Sequence, residues 1–71
     1  MKNMELLRRD RRWSQGHLAA AAGVTQGLIS QIEAGVTNPS ADVLERLARA
    51  LSFSPPERLL REVHVETEAR P

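Results

Sequence analysis

A chain of 71 residues with 10 basic and 9 acidic side chains, two histidines and no cysteine is one domain at most. It can bury only a modest core and has neither disulfides nor thiolate–zinc chemistry to staple it. The charged start, Met1 to Arg12, lacks an apolar leader and no apolar run approaches a membrane span, so a cytoplasmic protein is expected. The net charge of +1 hides an asymmetry. Residues 1–38 carry Lys2, Arg8, Arg9, Arg11 and Arg12 against Glu5, Asp10 and Glu33. Residues 39–71 carry five arginines against six acids. The basic excess therefore sits in the front half.

The pattern predicts five short helices and no strand, because nothing alternates with period two over a useful length. The first helix is expected over about Lys2 to Asp10, with Met4, Leu7 and Leu6 as its apolar stripe. Trp13 follows in the connection, and Ser14 is a good N-cap for a second helix over about Gln15 to Ala22. In that helix Leu18, Ala19 and Ala22 share a face, and the alanines let another helix approach closely. Gly23 should end it in a left-handed conformation. Thr25 caps a third helix in which Ile29 and Ile32 point one way and Gln26, Ser30 and Gln31 lie elsewhere on the surface.

Gly35 stops that helix, and the loop Val36-Thr37-Asn38-Pro39 follows. A fourth helix starts near Ser40, has Asp42 in its first turn and buries Val43, Leu44, Leu47, Ala48 and Leu51. Ser54-Pro55-Pro56-Glu57 reads as a capping box opening a fifth helix, with Phe53 as a staple before it. Leu59, Leu60 and Val63 are the apolar positions of that helix. The domain is expected over residues 1–63, and 64–71 reads as a polar tail.

Residues Gln15 to Glu33 meet the demands of a helix-turn-helix that reads duplex DNA. Such a unit needs two short helices at a fixed angle, a tight turn, and a second helix with polar residues outward. Leu18, Ala22, Val24, Ile29 and Ile32 are apolar where the helices meet, Ala19 is small where they cross, and Gly23 sits at the turn. Gln26 and Gln31 lie outward, and a glutamine amide can both donate to and accept from adenine.

The density of these features makes the chain resemble the phage repressor/Cro type of helix-turn-helix protein, the XRE family. The resemblance covers about residues 4 to 60. It rests on Met4, Leu7-Arg8, Ser14-Gln15, Leu18-Ala19, Gly23-Val24-Thr25, Ile29-Ser30-Gln31-Ile32-Glu33, Gly35, Asn38-Pro39-Ser40, Leu44, Leu47-Ala48 and Leu51. It implies an all-α, lambda-repressor-like bundle that binds double-stranded DNA. By the resemblance Gln26 is the first base-contact residue, with Gln31, Ser30 and Gly27 beside it. Gln15 would bond a phosphate and brace Gln26, and Thr25, Thr37 and Asn38 would contact phosphates. Arg8 and Glu33 correspond to a charge pair that ties the first helix to the third.

Two departures stand out. Gly27 occupies a position where relatives often carry a base-reading side chain, which implies either close approach of the backbone to DNA or less readout there. The loop after Gly35 lacks the Arg or Lys common in relatives. Arg9, Arg11 and Arg12, with His17 as a lesser candidate, are expected to supply phosphate contacts instead.

Relatives of this size often dimerise through their C-terminal region, so Leu59, Leu60 and Val63 are the expected interface of a homodimer on an inverted repeat. Relatives that activate transcription can do so through acidic residues on the exposed face of the second helix; here that face carries Gly16, His17, Ala20 and Ala21 but no acid, so the resemblance implies repression rather than activation. Nothing places Ser, His and acid together as a catalytic triad, and the two histidines are too far apart for a metal site. No enzyme activity and no cofactor are expected. The rival expectation is an antitoxin that binds a toxin partner and regulates its own operon.

Overall fold

The computed structural model of the chain describes residues 1–64, so all of the expected tail except His64 lies outside the described residues. Among the described residues four α-helices form: α1 (Asn3–Asp10), α2 (Gln15–Ala22), α3 (Gln26–Glu33) and α4 (Ala41–Ala50). A 3-10 turn, Pro56–Leu60, follows. α2 packs on both α3 and α4, and the 3-10 turn packs on α4 and α1.

The helices start where short hydroxyl side chains stand in for missing backbone acceptors. Ser14 Oγ accepts from the His17 N–H at 3.0 Å, Thr25 Oγ1 from Leu28 at 3.1 Å, and Ser40 Oγ from Val43 at 3.2 Å. Each satisfies one of the orphan donors of a first turn. α1 has no such cap. Its start is held by pairing with the segment after the 3-10 turn: Lys2 and Glu62 form an isolated antiparallel bridge. Asn3 N–H donates to the Arg61 carbonyl at 2.8 Å, and Val63 N–H donates to the Met1 carbonyl at 2.7 Å.

All four helices end in one device. The residue after the last turn turns left-handed, its N–H reaches back three residues, and the next N–H reaches back five. In α1 these bonds are Arg12 to Arg9 and Trp13 to Arg8, and in α2 Gly23 to Ala20 and Val24 to Ala19. In α3 they are Gly35 to Ile32 and Val36 to Gln31, and in α4 Ser52 to Arg49 and Phe53 to Ala48. The four turning residues have φ of 60° at Arg12, 73° at Gly23, 78° at Gly35 and 51° at Ser52. Trp13, Val24 and Phe53, which follow three of them, pack on the core. Val36 follows the fourth and is 72% exposed.

The core contains Met4, Leu18, Ala19, Ala22, Ile29, Ile32, Leu47, Ala48, Leu51 and Leu59. Ala19 and Ala22 on α2 supply the close approach to α3 and α4, because a methyl group keeps the helix axes near one another. Val43 and Leu44, expected in the buried stripe, are half-buried at its margin.

Three expectations need correction. The fifth element is a 3-10 turn rather than an α-helix, because its five residues support only i to i−3 bonds such as Arg58 N–H to the Pro55 carbonyl at 3.1 Å. The capping box does not form, because Pro55, not Ser54, flanks the element and has no side-chain oxygen to offer. Leu59 is 0% exposed, so it belongs to the monomer's core and has no surface to give a dimer interface. Leu60 and Val63 are half-buried. Among the described residues no helix is long and apolar enough to cross a membrane.

Candidate nucleic-acid interface

Gly23, Val24 and Thr25 make the turn between α2 and α3. Gly23 takes the left-handed conformation without a Cβ clash, Val24 packs inward, and Thr25 caps the next helix. The turn thus sets both the end of α2 and the start of α3. Ile29 and Ile32 are fully buried and fix the rotation of α3 about its axis. With 3.6 residues per turn, that rotation puts Gln26, Gly27, Ser30 and Gln31 on the opposite face, and all four are exposed. Among the described residues, no side-chain hydrogen bond occupies Gln26, Ser30 or Gln31.

A buried charge network fastens this helix to the rest of the domain. The Arg8 guanidinium donates to both oxygens of Glu33, from Nε to Oε2 at 2.8 Å and from Nη2 to Oε1 at 3.1 Å. Arg8 Nη1 also donates to the Trp13 carbonyl at 2.7 Å. The Arg8 and Glu33 side chains are only 10% and 5% exposed. Such fork-to-fork geometry adds orientation as well as attraction. Hydrogen bonding to Glu33 raises the guanidinium above its ordinary pKa, with burial opposing and the nearby carboxylates assisting.

Gln15 joins the network: its Nε2 donates to Glu33 Oε1 at 3.0 Å. The end of α3, the start of α2 and the last turn of α1 therefore meet at one carboxylate. The expected brace between Gln15 and Gln26 is not the one found. Gln26 instead lies over Gly16, where a Cβ would stand 3.5 Å from its Oε1.

The remaining candidates divide into engaged and open groups. Arg9 Nη2 pairs with Glu5 at 2.6 Å. Arg11 Nη2 donates to the Leu51 carbonyl at 2.6 Å, and its guanidinium lies 5.4 Å from the Trp13 ring centroid. His17, the lesser phosphate candidate, is exposed and stacks on Trp13 with centroids 4.4 Å apart and planes 10° from parallel. Trp13 thus meets both a cation and an imidazole and also packs on the core. Arg12, Thr25 and Asn38 are exposed, and Thr37 is half-buried in the loop after Gly35. Among the described residues no group of three or more His, Cys, Asp or Glu could hold a metal ion.

A family model described as a helix-turn-helix domain matches residues 4–60. Over 41 residues, 58% of this chain, the sequence is 46% identical to an uncharacterized HTH-type transcriptional regulator of Mycobacterium tuberculosis strain CDC 1551 / Oshkosh. It matches one from strain ATCC 25618 / H37Rv to the same extent. The matched stretch spans 29% of the length of each relative.

Proposed function

The chain belongs to the helix-turn-helix domain family, and from that membership we propose that it regulates transcription by sequence-specific binding to duplex DNA. The observation that carries the proposal is the outer face of α3. Gln26, Gly27, Ser30 and Gln31 are exposed together on a helix whose inner face and C-terminal end are fixed by Ile29, Ile32 and the Arg8–Glu33–Gln15 network. A helix anchored on its inner face and at its C-terminal end offers its outward side chains to the major groove from a fixed frame.

In this reading Gln26 and Gln31 read base edges, each suited to the N6 and N7 pattern of adenine. Ser30 and Gly27 contact the same groove. Gln15, Thr25, Thr37 and Asn38 position the domain on phosphates. Arg12 is the leading cationic contact, because Arg9 and Arg11 already have protein partners; these two and His17 approach the backbone from the side of α1 and α2. The protein acts as a homodimer on an inverted repeat, with half-sites about 34 Å apart and Leu60 and Val63 at the contact. Repression by occupancy is favoured over activation, since His17, Ala20 and Ala21 on the exposed face of α2 offer no acidic group.

Selection of bound duplexes from a random-sequence pool at near-physiological salt tests this reading. A palindromic motif with two half-sites is the expected result. A single half-site would overturn the dimer, and a folded protein that enriches no motif would overturn sequence-specific binding and favour a protein-binding role such as that of an antitoxin.

A further inference from the structure

Gly27 has no explanation inside the domain. Gly23 and Gly35 take left-handed φ of 73° and 78°, and a Cβ at Gly16 would come into ordinary contact with the Gln26 side chain. Gly27 is different: it sits in the first turn of α3 with helical backbone. A Cβ built there would meet nothing within 4 Å. Packing would accept alanine, and helix propensity would prefer it, since glycine is among the least favourable residues in a helix. A gap that the fold does not use is available to whatever lies against that face.

That face is the one on which Gln26, Ser30 and Gln31 are exposed. Gln26 leans back over Gly16, so it does not roof the gap beside it. The surface left bare on this face is a Cα methylene, which offers van der Waals contact; the Gly27 N–H, an uncapped donor of the first turn, runs parallel to the helix axis rather than out of this face. In the major groove one base-edge group matches that chemistry, the thymine C5-methyl. A Cβ at residue 27 would compete for the space this methyl occupies.

We infer that Gly27 is a specificity-determining seat for a thymine methyl next to the base read by Gln26. The inference rests on the DNA-reading proposed above. It makes Gly27 a positive recognition element rather than a position where readout is missing.

The test pairs a methyl on the protein with a methyl on the DNA. Binding of the wild type and Gly27→Ala is measured on the selected duplex, and on duplexes in which each thymine in turn is replaced by deoxyuridine. Gly27→Ala should raise the melting temperature of the free protein, which shows that it folds. It should also bind the thymine duplex about tenfold more weakly, within the usual range for one lost base contact. At one thymine position the deoxyuridine duplex should restore Gly27→Ala to wild-type affinity while weakening the wild type.

Equal loss on every duplex, or no loss on the selected one, would overturn the methyl seat and leave DNA-reading intact. Failure to select any duplex would overturn both.

Discussion

Replacing Glu33 with glutamine keeps the shape of a side chain that accepts three hydrogen bonds but removes its charge. The carboxylate takes two donors from Arg8 and one from Gln15, and the ion pair is nearly excluded from solvent at 10% and 5% exposure. An amide can accept from only one side. Its NH2 group would face Arg8 or Gln15 donor to donor, and the guanidinium would be left buried with no counter-charge. Breaking a buried pair costs about 3–5 kcal/mol. The oxygen that remains recovers part of that, so Glu33→Gln should lose about 2–4 kcal/mol.

For a domain this small the loss is large. Typical stabilities of about 0.05–0.15 kcal/mol per residue put the whole at roughly 4–11 kcal/mol. A domain of this size loses about 4–8 °C of melting temperature per kcal/mol. Urea unfolding followed by circular dichroism gives the number directly, provided the slope is unchanged between variants.

The internal control is Arg46→Gln, which breaks the Asp42–Arg46 pair, 71% and 52% exposed, and should cost less than about 0.5 kcal/mol. A Glu33→Gln loss no larger than the control would refute the argument, because it would mean that water reaches the pair. The double variant Arg8→Met/Glu33→Leu adds a second check, since it removes both charges together. It should be more stable than either single change.

The left-handed end of α4 falls on Ser52, with φ of 51°. Ser52→Gly should therefore stabilise by about 0.5–1 kcal/mol, the relief of Cβ strain less the added freedom of the unfolded chain. An unchanged or lower melting temperature would count against the strain. Glu62 has its carboxyl held below the ordinary glutamate pKa by hydrogen bonds from the N-terminal ammonium and Lys2. Its contribution is thus present above the unfolded pKa and is lost as pH falls through the lower folded value. Glu62→Gln should flatten that acid limb of stability in low salt, and added salt should shrink the difference. Arg12→Ala should weaken binding to all duplexes alike and reduce the salt slope by about one.

Much of the frame is written in local residue types. Ser14, Thr25 and Ser40 each cap the helix they precede, and Gly23 and Gly35 each end one. These are signals because a hydroxyl acceptor and a missing Cβ act within a few residues of chain. The same helix-ending device at Arg12 and Ser52 carries no such mark. There the tertiary placement of Trp13 and Phe53 against the core overrides the backbone preference of the turning residue.

Long-range geometry was the least legible part. Whether Gln15 meets Gln26 or Glu33 depends on where α1 delivers Arg8, which no spacing within the helix-turn-helix encodes. Leu59 reads as one of three similar apolar residues, yet it alone is sealed, because the pairing of Lys2 with Glu62 draws the 3-10 turn onto α1. The stack of His17 on Trp13 likewise needs the left-handed turn at Arg12 to bring the indole back toward α2.

Base reading by the outer face of α3 stands or falls on Gln26. Dissociation constants of the wild type and Gln26→Ala are compared at one fixed salt concentration, on the selected duplex and on a scrambled duplex of the same composition. Gln26→Ala should lose about 1–3 kcal/mol on the selected duplex, relax the preference at one base pair, and leave binding to the scrambled one unchanged. An equal loss on both would contradict it, for Gln26 would then be holding the backbone and not reading the sequence.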